Sequence, residues 1–264
     1  MAQLFIKQAK QYAETRPSYP PELFRFIASK TPFHDLVWDV GTGSGQAAQS
    51  LAGIYKNVIA TDTSLKQLEF ARKLPNIQYK QTPPSMSISE LQKSVSPNSS
   101  VDLITIAQAL HWFDLPNLYE QVKWILKKPN GIISAWCYTT PKVNDSFNAV
   151  FDQFYAVDSK PYWDAKRKLI DEKYMTVDFP FVPVDGENET GPFEFKTEKV
   201  MDLEEFLTYL RSWSAYQTAK DKGVELLSDD VIEKFKVAWD EDGVSKKSVK
   251  FPVYLRIGKV GNCA

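Results

Sequence analysis

The sequence predicts an α/β fold in which a mostly parallel β-sheet carries helices on both faces. The first observation is an apolar segment at residues 36–40 that runs into glycines at every second position, followed by a helical pattern from Gln46. The second is the return of apolar strand patterns at residues 57–61, 77–80, 101–107 and 132–138. Helical patterns separate these strands, and such alternation is typical of parallel sheets with right-handed crossovers.

The turn after the first strand contains Gly41, Gly43 and Gly45. A strand, a glycine-rich turn and a helix open a nucleotide-binding βαβ unit, because glycine lets the backbone approach a ligand closely and adopts positive φ. The dinucleotide fingerprint requires its third glycine at the position of Gln46. The turn therefore indicates a nucleotide ligand and disfavours a dinucleotide. An ordinary α/β turn without a ligand is the alternative.

The second predicted strand ends at Asp62, which lies 21 residues after Gly41. A carboxylate at this place in a nucleotide-binding unit accepts hydrogen bonds from ribose hydroxyls. Ser64 is predicted to cap the helix that follows. The alternative for Asp62 is a helix-capping role without a ligand.

The fourth strand pattern runs into a polar and aromatic loop that contains Gln108, His111 and Trp112. Ligands of open α/β sheets bind outside the carboxyl ends of the strands, so this loop is expected to join the site. His111 is either a general base, a wall of the ligand pocket or a packed structural residue.

Asp39 and the alternate glycines after it resemble motif I of class I S-adenosylmethionine-dependent methyltransferases. Residues 101–114 resemble the fourth-strand motif of the branch that includes the trans-aconitate and plant embryo-abundant-type methyltransferases. The pattern of Tyr12, Arg16-Pro17 and Tyr19-Pro20 and the aromatic helix at residues 209–216 also match that branch. The resemblance implies a Rossmann-like sheet of seven strands with the last strand antiparallel. It also implies S-adenosylmethionine as cofactor and S-adenosylhomocysteine as product.

The strand ends and the resemblance together predict two groups of site residues. The predicted cofactor site comprises Tyr12, Arg16, Asp39, Gly41, Thr42, Gly43, Ser44, Gly45, Asp62, Thr63, Gln108 and Trp112. The predicted acceptor pocket comprises His111, Trp136, Tyr138, Tyr162, Trp163, Arg211, Ser214 and Tyr216. Many relatives carry an acid after the third strand for the adenine. Here residues 81–84 are Gln-Thr-Pro-Pro, which leaves backbone groups or the Thr82 hydroxyl for that contact.

Methyl transfer from a sulfonium is an in-line displacement, for which alignment and exclusion of water supply much of the acceleration. A carboxylate acceptor is already ionised at neutral pH and needs only a group that holds it. Arg211, Ser214 and Tyr216 are the candidates for that role. An alcohol, phenol or amine acceptor benefits from a base, and His111 is the candidate.

Composition restricts the other partners. A net charge of −1 gives no basic excess for nucleic acid or for an anionic membrane surface. The chain shows no secretory signal and no apolar run of about 18 residues, so a cytoplasmic protein is expected. Two cysteines and two histidines at unrelated positions predict no metal site. Monomer and homodimer both remain open.

A length of 264 residues suits one large domain. Residues 1–139 are predicted to form an N-terminal leader and the cofactor-binding half. Residues 140–192 lose the strand-helix alternation and are predicted to cap the acceptor pocket, with a surface excursion as the alternative. Residues 193–264 are predicted to complete the sheet and add C-terminal helices.

The sequence thus predicts a methyltransferase that uses S-adenosylmethionine and O-methylates a small-molecule acceptor, such as a carboxylic acid. A nicotinamide-dependent oxidoreductase is the first alternative, which Gln46 and the loop at residues 111–114 disfavour. A non-catalytic protein that binds the cofactor is the second, because transfer by alignment leaves no obligatory catalytic residue.

Overall fold

A computed structural model describes residues 16–261, so the predicted cofactor residue Tyr12 lies outside the described residues. The strands are β1 (Leu36–Val40), β2 (Asn57–Asp62), β3 (Ile77–Gln81), β4 (Leu103–Ala107), β5 (Ile132–Tyr138), β6 (Phe193–Met201) and β7 (Lys247–Lys259). The α-helices are α1 (Pro21–Lys30), α2 (Gln46–Ala52), α3 (Leu65–Glu69), α4 (Ile88–Ser94), α5 (Leu115–Ile125), α6 (Asp145–Gln153), α7 (Arg167–Asp171), α8 (Leu203–Arg211), α9 (Ser214–Asp221) and α10 (Asp229–Asp240).

The seven strands form one sheet in the order β3-β2-β1-β4-β5-β7-β6. Neighbouring strands from β3 to β5 pair in parallel, and β7 pairs antiparallel with β5, from Ile132 opposite Lys259 to Tyr138 opposite Val253. The predicted seven-stranded Rossmann-like sheet with its last strand antiparallel is therefore confirmed. Because these strands run in parallel, the carboxyl ends of β1, β2 and β4 lie at the same end of the sheet.

Burial follows the position of each strand in the sheet. Every residue of β5 is buried, because β5 has a neighbour on each side and parallel strands of α/β proteins are covered on both faces. The edge strand β6 instead alternates, with Glu194, Lys196 and Glu198 exposed. Charged side chains on an edge strand oppose pairing with other chains.

Side-chain hydrogen bonds cap α3, as the sequence predicts, and α8. Ser64 accepts a hydrogen bond from the backbone of Gln67 at 3.4 Å and caps α3. Asp202 and Glu205 form a capping box at α8, in which each side chain accepts from the other residue's backbone N–H. The predicted fourth strand starts later than expected, at Leu103, and the carboxylate of the preceding Asp102 accepts from the backbone of Asp35 and Leu36.

The described chain divides into two compact units. Of the described residues, the first unit contains 16–17, 140–167 and 196–252, and the second contains 18–139, 168–195 and 253–261. The predicted boundaries at residues 140 and 192 stay a prediction, as does the capping role of the segment between them. No helix within residues 16–261 is long and apolar enough to span a membrane.

Each unit has its own apolar core. In the first unit α6, α8 and α10 pack through aromatic rings, with the Phe147 centroid 4.9 Å from Phe206 and 5.1 Å from Trp239. In the second unit the buried side chains of β1, β4 and β5 form a continuous cluster with α5 and with residues 170–181.

Candidate functional site

The turn after β1 uses three glycines in the left-handed region, with φ of +66° at Gly41, +57° at Gly43 and +78° at Gly45. A Cβ on Gly41 would lie 2.9 Å from the Cβ of Ala109, and one on Gly45 would lie 2.4 Å from the hydroxyl of Tyr79. A Cβ on Gly43 would meet no atom within 4 Å. Packing within the protein therefore requires two of the glycines, whereas Gly43 borders open space where a ligand can approach the backbone.

Asp39 is completely buried at the end of β1 and accepts hydrogen bonds from the hydroxyls of Thr42 at 2.5 Å and Thr105 at 2.6 Å. Burial raises the pKa of the Asp39 carboxyl to about 6, although the two threonine hydroxyls act in the opposite direction. The carboxyl group thereby joins the glycine turn to β4. These bonds show that Asp39 stabilises the conformation of the turn.

Asp62 connects the end of β2 to the same turn. Its Oδ2 accepts from the backbone N–H of Gly43 and its Oδ1 from that of Ser64, both at 2.8 Å. A carboxylate has about four acceptor positions, so two remain for other donors. Since Ser64 is the residue that caps α3, the arrangement favours the ligand-binding interpretation of Asp62 over the capping one.

The residues after β3 lie beside Asp62. Gln81 is the register partner of Asp62, and the backbone N–H of Thr82 donates to the Asp62 carbonyl at 3.0 Å. The Gln81 amide donates to the carbonyl of Thr63 at 3.0 Å, and the Thr82 side chain is buried. The segment predicted to contact the adenine is thus joined to the strand end that carries the predicted ribose ligand.

At the exit of β4, Gln108 adopts a left-handed backbone with φ of +56°. Its side-chain oxygen accepts from the backbone N–H of Tyr138 at 2.8 Å, and its amide nitrogen donates to the Tyr138 carbonyl at 3.3 Å. The predicted cofactor ligand Gln108 therefore binds the end of β5 through both polar atoms of its side chain. The next turn, Leu110–Trp112, is a single 3₁₀ turn.

His111 and Trp112 differ in exposure. The His111 side chain is buried and its Nδ1 lies 3.1 Å from the hydroxyl of Tyr174. Trp112 is half exposed, and its ring centroid lies 4.6 Å from that of His111. An exposed indole face at the carboxyl edge of a sheet suits contact with a cationic ligand.

The predicted pocket residues Trp136 and Tyr138 lie at the end of β5. Trp136 is completely buried, and its ring meets those of Tyr19 at 5.3 Å and Phe24 at 5.9 Å in edge-to-face geometry. Tyr138 is buried as well, with its ring 6.5 Å from Tyr19. The segment before α1 therefore covers these two aromatic side chains.

Six predicted site residues belong to the first unit. These are Arg16, Tyr162, Trp163, Arg211, Ser214 and Tyr216. Arg16 donates to the carbonyl of Ser212 at 3.0 Å, which places the motif residue beside the end of α8. The Arg211 guanidinium forms an ion pair with Glu204 at 2.6 Å.

The other members of this group have polar or cationic neighbours too. The Tyr216 hydroxyl donates to Glu225 at 2.9 Å. Burial and, as the second cause, the Glu225 carboxylate raise the pKa of Tyr216 to about 12. Trp163 donates to the Ser159 hydroxyl at 3.0 Å, and Tyr162 is half-buried. Ser214 is exposed.

Three residues at the site were not predicted: Thr105, Tyr174 and Arg256. Thr105 is a hydroxyl inside an otherwise apolar strand, and Arg256 stands between Leu255 and Ile257 in β7. A polar residue inside an apolar strand is a sequence signal that both share. Tyr174 carries no such signal, because it lies among many aromatic residues without periodicity. Among residues 16–261, no group of three or more His, Cys, Asp or Glu side chains is arranged to hold a metal ion.

Known proteins resemble this chain over most of its length. Residues 38–135 match the family model of a methyltransferase domain. A Dictyostelium discoideum protein named as a methyltransferase is 35% identical over 257 residues, which covers 95% of this chain and 92% of that protein. A Saccharomyces cerevisiae protein named as an S-adenosylmethionine-dependent methyltransferase is 28% identical over 240 residues, 79% of each chain.

A solved structure shows the same similarity in three dimensions. The structure of a type II methyltransferase from Anaeromyxobacter dehalogenans superposes with a TM-score of 0.78 at 28% sequence identity. The superposition covers 93% of this chain and 98% of that one.

Proposed function

The chain belongs to the class I S-adenosylmethionine-dependent methyltransferases, and from this premise we propose its cofactor site and its acceptor. We propose that S-adenosylmethionine binds at the glycine turn and that the enzyme methylates an oxygen of a small-molecule acceptor. A small carboxylic acid is the acceptor class that we favour, with other small metabolites as the broader class.

The observation that carries this proposal is the open space beside the backbone of Gly43. The glycine has positive φ, borders open space and has its N–H held by Asp62. A nucleoside ligand that lies against Gly43 is therefore adjacent to a carboxylate with spare acceptor positions. Asp62 is proposed to accept from the ribose hydroxyls, and the half-exposed Trp112 to contact the sulfonium.

When bound, S-adenosylmethionine supplies a methyl group on a positively charged sulfur, which a nucleophile displaces in line. The protein's residues then have to orient the acceptor and keep water away. An ionised carboxylate needs no base, whereas Arg211, Ser214 and Tyr216 are proposed to hold it. Glu204 engages only Nη1 of Arg211, and a guanidinium carries five N–H donors, so the ion pair is compatible with that role.

The cofactor assignment is tested by calorimetric titration with S-adenosylhomocysteine, S-adenosylmethionine and NADH. We expect S-adenosylhomocysteine to bind with a Kd in the micromolar range, about −8 kcal/mol, and to raise the melting temperature. NADH should not bind. Absence of S-adenosylhomocysteine binding and of any thermal shift at millimolar ligand would reject the assignment.

The acceptor class is tested separately with the methyl donor and a panel of small carboxylic acids, alcohols, phenols and amines. Formation of a methyl ester, identified by mass spectrometry, is the expected result. Methylation of amines alone would contradict the carboxylic-acid proposal. Tight cofactor binding without turnover on any acceptor would favour a non-catalytic protein of the same fold.

A further inference from the structure

The segment that follows α7 brings a buried tyrosine to the exit of β4. Tyr174 is completely buried, and its hydroxyl lies 3.1 Å from Nδ1 of His111, a residue 63 positions earlier in the chain. Their ring centroids are 6.3 Å apart. The two side chains therefore meet through the Tyr174 hydroxyl and His111 Nδ1.

The backbone that carries Tyr174 is strained. Lys173 and Tyr174 both have φ of +58°, a conformation that side chains with a Cβ disfavour. Such a conformation persists only where the surroundings determine it. Backbone strain of this kind is concentrated at functional sites, so the contact that it enables is a candidate for a functional one.

Arg256 of β7 holds the strained segment in place. Its Nη1 donates to the Tyr174 carbonyl at 2.9 Å, and its Nη2 donates to the Thr190 hydroxyl at 2.9 Å. The backbone N–H of Tyr174 donates to the Leu169 carbonyl at 2.9 Å. Since β7 is paired with β5, these bonds tie the backbone of Tyr174 to the strands of the sheet.

The chemistry of the two groups determines the direction of the hydrogen bond. A phenol is a proton donor with a pKa of about 10, and its oxygen is a weak base. The bare nitrogen of a neutral imidazole is the stronger base, since its conjugate acid has a pKa of about 6.5. The favoured bond therefore runs from the Tyr174 hydroxyl to Nδ1, and a neutral histidine that accepts at Nδ1 carries its proton on Nε2.

We propose that Tyr174 is a positioning residue that holds His111 in the Nε2–H tautomer, so that His111 serves methyl transfer as a hydrogen-bond donor and not as a base. The inference rests on the proposed function and narrows its substrate class. Without a base at this position an alcohol or phenol acceptor has no help with its proton, whereas a carboxylate is already ionised and needs none. A donor on Nε2 suits an acceptor oxygen that carries negative charge.

The tautomer is measured directly by long-range proton–nitrogen NMR on nitrogen-15-labelled protein. His34 and His111 are the two histidines of the chain, so a His34→Gln background leaves one imidazole to observe. The pH is raised until the ring nitrogen shifts stop changing, so that the neutral imidazole is observed. We expect one tautomer, with Nδ1 unprotonated and Nε2 protonated. A proton on Nδ1 overturns the proposal without any further variant.

Tyr174→Phe then removes the hydroxyl and keeps the buried ring. We expect loss of the single tautomer and a mixture in its place. Tyr119→Phe is the matched control, because the buried Tyr119 donates at 2.8 Å to the carbonyl of Asp178 in the same segment. It should leave the His111 spectrum unchanged. An unchanged spectrum in Tyr174→Phe, or an equal change in both variants, contradicts the positioning role.

Calorimetry with S-adenosylhomocysteine separates this proposal from the cofactor assignment. Tyr174→Phe should bind the ligand within about twofold of the parent protein, because the glycine turn is intact. If neither protein binds it, the cofactor assignment fails while the tautomer result stands. If only Tyr174→Phe loses binding, the hydroxyl supports the cofactor site and the proposed role at His111 is wrong.

Discussion

The turn after β1 is held by partners both near and far along the chain, whereas the side-chain bonds at the exit of β4 join distant residues only. Asp39 and Thr42 are 3 residues apart, Gly43 and Asp62 are 19 apart, and Asp39 and Thr105 are 66 apart. At the exit of β4, Gln108 reaches Tyr138 over 30 residues and His111 reaches Tyr174 over 63. The Tyr174 carbonyl in turn binds Arg256 over 82 residues.

This difference in range predicts different responses to mutation. A side chain at Gly43 would meet no neighbouring atom within 4 Å, so apart from the strain of a positive φ it acts on a ligand. A change in the network around Tyr174 removes bonds among buried groups and so lowers the free energy of unfolding. Substitutions in the glycine turn should therefore lower ligand affinity more than stability. Substitutions at the exit of β4 should lower stability more than ligand affinity.

The largest expected effect is that of Gly43→Val. A β-branched side chain enters the open space beside the turn, so S-adenosylhomocysteine affinity should fall by more than about 100-fold, roughly 3 kcal/mol. The circular dichroism spectrum should stay close to that of the parent protein. Gly223→Val is the control, because Gly223 also has a positive φ, +76°, and a Cβ there would meet no atom within 4 Å. Calorimetry that finds Gly43→Val binding the ligand as tightly as Gly223→Val would contradict the proposed ligand position beside Gly43.

Arg256→Met is expected to destabilise the second unit by about 3 kcal/mol, because it leaves the buried Tyr174 carbonyl and the partly buried Thr190 hydroxyl without their donor. Lys259→Met removes a partly exposed ion pair with Asp185 from the same strand and should cost less than about 1 kcal/mol. Urea unfolding of both variants measures the difference. Similar losses in the two would mean that the Tyr174 network contributes no more than a surface pair.

Asp39 gives stability a specific dependence on pH. Its pKa is about 6 in the folded protein, against about 3.9 for an unfolded aspartate. The folded state keeps a proton that the unfolded state releases, so this contribution is complete below about pH 4 and is lost as pH rises through 6. The difference in unfolding free energy between parent and Asp39→Asn should fall by on the order of 2–3 kcal/mol across that interval. If the unfolding free energies of the parent protein and Asp39→Asn change in parallel with pH, the pKa of Asp39 is not raised.

Asp62→Ala should weaken S-adenosylhomocysteine binding by about 1.5–3 kcal/mol, through the lost acceptor for the ribose hydroxyls and for Gly43. Asp35→Ala is the control, because Asp35 precedes β1 at the opposite edge of the sheet and pairs with the exposed Lys56. Its affinity should match that of the parent protein. An Asp62→Ala variant that binds S-adenosylhomocysteine as tightly as the parent protein would reject the proposed ribose contact of Asp62.

The smallest expected effect is that of His111→Gln. Glutamine preserves a donor near the position of Nε2 and cannot act as a base, so kcat on a carboxylic acid should fall by less than about tenfold. The rate should depend weakly on pH above about 5, where the acceptor is ionised. A sigmoidal rise near pH 6.5 that disappears in His111→Gln would instead indicate base catalysis on a neutral nucleophile.

The sequence by itself determined the strands, the helix starts and the glycine turn. β5 has the predicted bounds of residues 132–138, and the predicted cap at Ser64 is present. These features depend on hydrophobic periodicity, backbone sterics and side-chain bonds over three residues, all of which act locally. The same holds for the positive φ of Gly41, Gly43 and Gly45.

The tertiary structure alone decided which polar groups meet. The sequence shows that Gln108 and His111 follow a strand, but not that they bind Tyr138 and Tyr174. It shows an arginine in β7 without showing that its guanidinium holds the Tyr174 carbonyl. Such pairings join residues that are distant in sequence and are specified by packing of the whole unit. They leave no periodic signal along the chain, because each is a single contact between two elements.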